Sequence, residues 1–315
     1  MTHKPLLKTT IKITVSGALL VYLLVFRVHW HDTLASLHQL TLPYFILALS
    51  LTAGRLLLAA LRWHLALVRE NTRVRFPVLL RLYAIASFFN LLLPTAIGGD
   101  LVRVKEVTRF DTSGTTAISS ALSERVSGLI SLIALAACSL FFLRTLPSIA
   151  RLWLPVFVIA LLVALLLGSI WSRRLVPCCT RLLDALHLAH LRLKVDEIHR
   201  ELRRLTRGPS FLRLVVLSLG YQLTGIVGVH FLALSLGLSI PLSYLLLIIP
   251  LVYIATMIPV SVGGLGVREE LFVFFLVPAG IVPADALALS LVLSFQLILL
   301  GVFGAFVYLW HSRIK

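Results

Sequence analysis

Two stretches of the chain carry the same short pattern, and its residue types suit the binding of an anion. The pattern joins a proline, a pair of glycines and an arginine at identical spacing, in Pro94-x3-Gly98-Gly99-x3-Arg103 and in Pro259-x3-Gly263-Gly264-x3-Arg268. Proline lacks a backbone N–H and glycine adopts turns that other residues avoid, so each copy is expected to break a helix. The freed N–H groups, the positive end of the next helix and the arginine would together suit a phosphate.

Polar residues flank both copies and extend the two candidate sites. Asn90 and Asp100 accompany the first copy, and Glu269 and Glu270, candidates for gating or charge pairing, accompany the second, where Gly266 is a further candidate of the binding site. Charges between apolar stretches are costly unless they are paired or hydrated, which favours a functional interpretation of the second copy. The first copy leaves an alternative open, namely a loop at the membrane surface in which Asp100 caps the next helix.

Three charged residues inside apolar runs are candidates for gating or charge pairing. Glu124 and Arg125 are expected either to pair with charges of the two copies or to orient their helix near the membrane surface. Arg55 has no carboxylate nearby in sequence and needs a partner from another helix, a bound anion or backbone carbonyls. Other polar residues predict either a polar path or hydrogen bonds between helices: Tyr22, Tyr83, Asn90, Tyr221, Gln222 and Gln296.

The composition places these residues in a membrane. Of the 315 residues, 59% are hydrophobic and 13% are charged, and the mean hydropathy of +1.00 leaves too little polar surface to cover a water-soluble globule. Apolar runs long enough to cross a bilayer as helices are present, whereas the alternating segments of a barrel are not. The predicted class is an all-α polytopic membrane protein with clear spans at 13–27, 43–61, 115–143, 152–171, 211–236 and 286–310.

The basic residues predict the topology. If the apolar stretches 77–97 and 243–277 enter and leave on one side, 21 Lys and Arg residues lie in inside loops and only Arg27, Arg144 and Arg151 lie outside. This arrangement gives about six crossing helices and two re-entrant helical hairpins that enter from opposite faces. Both termini are then cytoplasmic.

The same topology predicts an inverted repeat within a single transmembrane domain, residues 1–315. The first repeat covers 1–151 with its re-entrant motif at 77–103, and the second covers 152–315 with its motif at 243–277. Each repeat has three crossings, so the second is inverted relative to the first.

The basic loop 172–210 is expected to form an amphipathic helix on the anionic inner leaflet. An indole prefers the headgroup layer, and all five tryptophans fall at predicted span ends: Trp30, Trp63, Trp153, Trp171 and Trp310.

Several functional classes are disfavoured. The formal charge of +16 gathers in a few loops, as membrane orientation requires, so nucleic acid is not an expected partner. Cys138, Cys178 and Cys179 form neither a disulfide framework nor a metal-spaced cluster. The sequence has no catalytic-triad order, phosphate-binding loop or paired-carboxylate signature, so no enzyme activity, cofactor or metal is expected.

These residues resemble the membrane region of lysylphosphatidylglycerol synthases and the wider family of flippase-like proteins built on it. The matching pieces are Arg62-Trp63, Asn90 through Pro94 to Gly98-Gly99-Asp100 and Arg103, Glu124-Arg125, and Pro259 to Gly263-Gly264, Gly266, Arg268 and Glu269. The resemblance covers nearly the whole chain and implies an inner-membrane protein that moves a polar or charged lipid between leaflets, or assists a lipid or glycolipid pathway. Such synthases carry a further aminoacyl-transferase domain, and since this chain stops at Lys315, synthase activity is not expected.

Lipid translocation is therefore the leading expectation, with membrane lipids that carry an anion or phosphate as partners and a lipid-biosynthesis enzyme as a further candidate partner. The phosphate would visit Arg103 on one side and Arg268 on the other, while Asp100, Glu124 and Glu269 hold the arginines when no lipid is bound. Two alternatives stay open: a secondary transporter of a small anion, and a non-transporting accessory protein. A lipid carrier should open laterally between helices, whereas a small-anion transporter should enclose a water-filled cavity.

Overall fold

A computed structural model describes residues 30–68, 74–92, 98–110, 112–142, 189–206, 208–257 and 264–314, together with the single positions 157, 161 and 168. Within these ranges the chain is helical and contains no strand, which confirms the all-α class. The helices are α1 Trp30–His38, α2 Leu42–Val68, α3 Phe76–Leu92, α4 Gly98–Val107, α5 Gly114–Phe142, α6 Ala189–Leu205, α7 Pro209–Ser235, α8 Leu242–Thr256, α9 Val267–Leu276 and α10 Pro283–Ile314.

Four of these helices are long and apolar enough to cross a membrane. The candidate spans in α2, α5, α7 and α10 contain 27 or 28 residues each, or roughly 40 Å of helix, which exceeds the hydrocarbon core of about 30 Å. They coincide with the predicted spans at 43–61, 115–143, 211–236 and 286–310. The predicted spans at 13–27 and 152–171 lie outside the described residues, so six crossings stay a prediction.

Large apolar side chains cover much of the outer surface of these helices. Ile46, Leu57, Leu212, Phe303 and Phe306 are each at least half exposed. In water such a surface would be a liability, whereas in a bilayer it contacts lipid chains. The exposed residues and the long helices together describe a multi-pass membrane protein.

Each copy of the repeated pattern separates two short helices. α3 has 17 residues and α8 has 15, so they extend only about 26 Å and 23 Å. Each is followed by a helix of 10 residues, α4 or α9. The repeat is thus visible as short helix, interruption and short helix. Re-entrant entry and the inverted arrangement stay predictions, and Pro94, Pro259 and Gly263 lie outside the described residues.

The two copies are anchored in different apolar clusters. One cluster surrounds Trp63 and joins α2, α3 and α5 to the end of α4 at Val107. The larger cluster surrounds α8, whose Leu247 and Ile248 are fully buried, and includes Phe272 of α9. The helices that follow the two copies, α4 and α9, therefore pack into different apolar clusters.

Trp63 shows one place where the sequence interpretation is wrong. The residue was expected in the headgroup layer, and Arg62 in an inside loop, but α2 continues to Val68 and both side chains are buried. The indole N–H of Trp63 donates to Ser120 Oγ at 3.0 Å, so its polar atom is satisfied inside the protein. Small residues on α2, Ala59 and Ala60, let neighbouring helices approach closely enough to cover the ring.

The basic loop 172–210 contains helix α6, as predicted. α6 packs against α5, where Thr115 donates to Glu197 at 3.1 Å and Ser119 donates to the carbonyl of Ile198 at 3.3 Å. Leu202 is buried and Arg200 is exposed, so the helix is amphipathic in the part whose side chains are described. Its location on the inner leaflet stays a prediction.

Candidate functional site

A polar cavity of about 310 Å³ lies among α2, α3, α4, α5, α7 and α10. Four arginines and two carboxylates line it, which leaves two positive charges in excess. Its polar and charged lining residues are Thr52, Arg55, Arg62, Tyr83, Ser87, Asn90, Asp100, Arg103, Glu124, Arg125, Tyr221 and Gln222. The cavity therefore has the charge to hold an anion.

Arg103 lies at the centre of this lining and is almost fully committed to protein partners. Its Nε donates to Asp100 Oδ1 at 2.9 Å, and its Nη1 donates to Glu124 Oε2 at 2.8 Å and to the hydroxyl of Tyr83. The guanidinium also lies over the rings of Trp63 and Tyr83, at 4.6 Å and 4.5 Å from their centroids. Only 3% of Arg103 is exposed, so this arrangement is a buried, largely neutralised charge cluster.

Asp100 completes the cluster from the first turn of α4, where a negative charge also suits the helix dipole. It accepts hydrogen bonds from Arg103 and from Arg125, whose Nε lies 2.6 Å from Oδ2. Burial of the carboxyl works to raise its pKa, but the two guanidinium groups outweigh burial and hold the pKa of Asp100 below its ordinary value. Asp100 is therefore ionised at neutral pH.

Glu124 connects helices that are far apart in sequence. Besides Arg103, its carboxylate accepts from the hydroxyl of Tyr83 and lies 3.7 Å from Arg62 Nη1. Arg62 Nη2 also donates to the backbone carbonyl of Glu124 at 2.7 Å. One carboxylate thus serves two arginines and ties α2, α3 and α4 to α5.

Arg55 and Arg62 lie seven residues apart on α2, on the same face two turns apart. Both guanidinium groups contact the ring of Tyr221 on α7, at 4.3 Å and 4.7 Å from its centroid. Arg55 Nη1 also lies 3.5 Å from the hydroxyl of Tyr253. Gly225 leaves the room for this contact, because a Cβ there would lie 2.7 Å from the central carbon of Arg55.

The paired glycines of the first copy are buried against α3. The N–H of Gly99 donates to Asn90 Oδ1 at 2.8 Å, and a Cβ on Gly99 would overlap the carbonyl oxygen of Ala86. The freed N–H was expected to face an anion, but in this structure it is satisfied by Asn90. Gly99 therefore lets α4 approach α3 closely, and Gly98 is also buried.

The second copy has a different geometry. Gly264 and Gly266 have φ of +81° and +83°, in the left-handed region that favours glycine. The N–H of Gly266 donates to Glu269 Oε2 at 2.6 Å, which caps the start of α9. Arg268 Nη2 donates to Ser294 Oγ at 2.6 Å and lies 3.6 Å from Glu269 Oε1.

Glu269 is fully buried and also accepts from Ser290 and Ser294 of α10. Its neighbour Glu270 is partly buried. Among the described residues of the second copy, Arg268 and these two glutamates do not line the polar cavity, whereas Asp100 and Arg103 of the first copy do.

An apolar groove of about 710 Å³ adjoins the polar cavity between α2, α3 and α10. The two spaces share Thr52, Leu56 and Leu300 in their linings. The rest of the groove is lined by Leu49, Ala53, Leu57, Pro77, Leu80, Arg81, Ala84, Leu299, Phe303 and Val307. Leu57 and Phe303 are about half exposed, so the groove opens on the outer surface of the bundle.

The sequence matches the family described as the lysylphosphatidylglycerol synthase TM region over residues 9–305. The chain belongs to this family. No curated protein matches the sequence at a significant level. Every residue that lines the polar cavity falls within the region that matches the lysylphosphatidylglycerol synthase TM region family, so the cavity belongs to the family's membrane domain.

Some lining residues were not assigned to the site from the sequence. Arg62 entered only through the family resemblance, and helix packing was the favoured interpretation of Tyr83, Tyr221 and Gln222. The spacing of Arg55 and Arg62 was the available signal, because residues seven apart share a helix face. Which tyrosine lies opposite that face depends on the packing of α7 on α2.

Proposed function

We propose that the protein binds a polar or anionic lipid and moves its headgroup between the leaflets of the inner membrane. The observation that carries the proposal is the union of a cationic cavity with an apolar groove, which share three lining residues. A membrane lipid has the same two parts, a charged headgroup and apolar chains. Membership in a family of lipid-related membrane proteins agrees with this function.

The dimensions and surroundings support binding of both parts at once. The cavity of about 310 Å³ is at the lower end of the range for small-ligand sites, as expected if it takes only a headgroup. The headgroup would gain from the two excess positive charges, while an acyl chain in the groove would stay in contact with the bilayer through the open side at Leu57 and Phe303.

The proposal assigns the two copies of the pattern to successive stages. The first copy contributes Asp100 and Arg103 to the cavity that holds the headgroup in this conformation. The second copy, with Arg268 beside Glu269, is the candidate contact on the opposite side of the membrane. Binding and movement make and break no covalent bond, so the proposal includes no catalytic step and no cofactor.

Transbilayer movement of a labelled phospholipid in reconstituted vesicles tests the proposal. Leu57→Trp adds a bulky ring to the groove lining, and Ile46→Trp makes the same kind of change on the same helix outside it. The two residues are exposed to 50% and 51%, so the pair is closely matched. We expect Leu57→Trp to slow lipid movement and Ile46→Trp to leave it at the wild-type rate.

Arg103→Ala and Arg268→Ala provide the second arm of this experiment. Each is expected to slow movement in protein that is shown to be folded. Wild-type rates in both arginine variants and in Leu57→Trp would contradict lipid translocation.

Secondary transport of a small water-soluble anion is the second candidate, favoured by the excess positive charge of the cavity alone. It makes no use of the apolar groove. Uptake of inorganic phosphate into vesicles that Arg62→Gln abolishes, but that Leu57→Trp leaves intact, would favour this candidate over a lipid carrier.

A further inference from the structure

Two arginines of the cavity are neutralised less completely than Arg103. Within the described ranges no carboxylate lies within ion-pair distance of Arg55, whose polar contacts are with Tyr221 and Tyr253. Arg62 has a carboxylate oxygen only at 3.7 Å, and Glu124 is bound more closely by Arg103 at 2.8 Å. The excess charge of the cavity is therefore located at Arg55 and Arg62.

The same two side chains carry unused hydrogen-bond donors. The Nε–H donors of Arg55 and Arg62 are buried and have no partner among the described residues. The acceptor Gln222 Oε1 is also buried without a described partner. All three residues line the polar cavity, and only 4% of Arg62 is exposed. A buried N–H without a partner is costly, and a guanidinium Nε–H is one half of the fork that binds phosphate.

We propose that Arg55 and Arg62, held over the ring of Tyr221, form the phosphate-binding subsite of the cavity, whereas Arg103 braces the helices. The ligand class is a phosphate monoester or diester, whether in a lipid headgroup or free. This inference deepens the proposed function and rests on it for the lipid. It moves the anion contact away from Arg103, where the repeated pattern had placed it.

Competition explains why Arg103 is the weaker candidate. An anion at Arg103 must displace Asp100 and Glu124, two carboxylates already in hydrogen-bond contact. At Arg55 no carboxylate needs to be displaced. Two cations that line one cavity also repel each other, and an anion in that cavity relieves this repulsion.

A glycine lies beside each of the two guanidinium groups. A Cβ on Gly225 would collide with the guanidinium of Arg55, whereas one on Gly128 would make ordinary contacts, 3.4 Å from Arg62 Nη2 and 3.6 Å from Gln222 Nε2. Gly225 is therefore needed for the position of Arg55.

Binding to the purified full-length protein in detergent tests the subsite with three probes. These are dihexanoylphosphatidylglycerol, inorganic phosphate, and dihexanoylglycerol, which has the chains but no phosphate. We expect Arg55→Gln and Arg62→Gln each to weaken binding of the phospholipid by about tenfold, the contribution of one charged hydrogen bond, and to leave dihexanoylglycerol binding unchanged. Arg109→Gln is the matched control, because its side chain is 53% exposed and pairs with Glu106 outside the cavity.

Substitutions of Tyr221 provide a second test of the subsite in which both arginines are retained. Tyr221→Phe keeps the ring and is expected to bind the phospholipid more tightly than Tyr221→Leu, which removes it. If Arg55→Gln does not fold, Arg55→Lys retains the charge but loses the planar fork, and an intermediate loss of affinity is expected.

The outcomes separate the subsite from the proposed function. Phospholipid binding that is equal in the wild type, Arg55→Gln and Arg62→Gln overturns the subsite and leaves lipid translocation standing. Binding of inorganic phosphate that depends on both arginines, without any binding of phospholipid, supports the subsite and contradicts the lipid function. A wild-type protein that binds neither probe overturns both.

Discussion

The two copies of the Pro-Gly-Gly-Arg pattern belong to regions with different roles in the structure. The helix after the first copy, α4, lies against the polar cavity and contributes Asp100 and Arg103 to its lining. The helix after the second copy, α9, packs against α8 and α10, and its Arg268 lies outside that lining. Identical spacing therefore does not give identical surroundings.

The difference arises from the partners of the two arginines. Arg103 is bound by Glu124 of α5 and by Tyr83 of α3, so the first copy connects three helices. Arg268 lies beside its own neighbour Glu269, and its one close hydrogen bond reaches Ser294. The first region is a junction between elements, whereas the second is mainly a helix start joined to one neighbouring helix.

The sharpest test of this contrast removes each arginine in turn. Arg103→Ala deprives the buried Glu124 and the partly buried Asp100 of a partner, and breaking such a buried pair is expected to lower the free energy of unfolding by about 3–5 kcal/mol. Arg268→Ala loses the short hydrogen bond to Ser294 and the longer ion contact with Glu269. We expect it to lower the free energy of unfolding by about 2 kcal/mol. Titration of the solubilised protein with a denaturing detergent measures both. Equal losses would remove the distinction between a junction and a helix start.

The glycines provide a second test, since Gly99 is needed for close helix approach. Gly99→Ala places a Cβ against the backbone carbonyl of Ala86, which cannot rotate away, and an expected 1–3 kcal/mol of stability is lost as α4 moves from α3. Gly54→Ala is the control, because nothing lies within 4 Å of the added Cβ. The same unfolding titration applies, and a loss at Gly54 as large as that at Gly99 would argue against the steric explanation.

Asp100 supplies a test that depends on pH. Because the pKa of Asp100 is lowered in the folded state, its contribution is fully present above the pKa of an unfolded aspartate, about 4, and is lost as the pH falls through the folded-state pKa. Asp100→Asn is expected to lower stability by about 1–2 kcal/mol at neutral pH, from the loss of charged hydrogen bonds to Arg103 and Arg125.

The difference in stability between the wild type and Asp100→Asn should then decrease below about pH 4. Thermal unfolding of both proteins across this pH range measures the difference. A difference that stays constant to the acid limit would mean that the ion pairs contribute nothing.

The smallest expected effect is that of substitutions at Gly264 in the second copy. Gly264 has φ of +81°, and a Cβ there makes only an ordinary contact with Thr256 at 3.4 Å. Gly264→Ala is therefore expected to cost about 1 kcal/mol through backbone strain, and Gly264→Asn less, because asparagine tolerates left-handed conformations. Thermal unfolding of both variants shows the order. If Asn is no better than Ala, the requirement at this position is space and not conformation.

Much of the fold was predictable from the sequence because it depends on local composition. The four described spans and the short helices on either side of each copy follow from the apolar runs and from proline and glycine. Trp63 shows the limit of that approach, since its place just beyond the predicted span 43–61 suggested the headgroup layer, whereas the residue lies within α2 and is buried.

The candidate site was predictable only in part. The sequence named Arg55, Asp100, Arg103, Glu124 and Arg125, and all five line the cavity. It favoured Arg268 for function, which the structure places outside that lining. The role of Tyr221 could not be read from the chain, because it depends on the contact between α2 and α7.

The sequence by itself determined that this protein is an all-helical membrane protein of the lysylphosphatidylglycerol synthase TM region family, with a repeated pattern that separates short helices. Hydropathy and helix-breaking residues act over a few turns, so one chain is enough to reveal them. The tertiary structure alone decided which arginines are neutralised and which keep free donors. A guanidinium finds many of its partners on helices tens to hundreds of residues away, and their approach places Glu124 beside Arg103 and the rings of Tyr221 and Tyr253 beside Arg55.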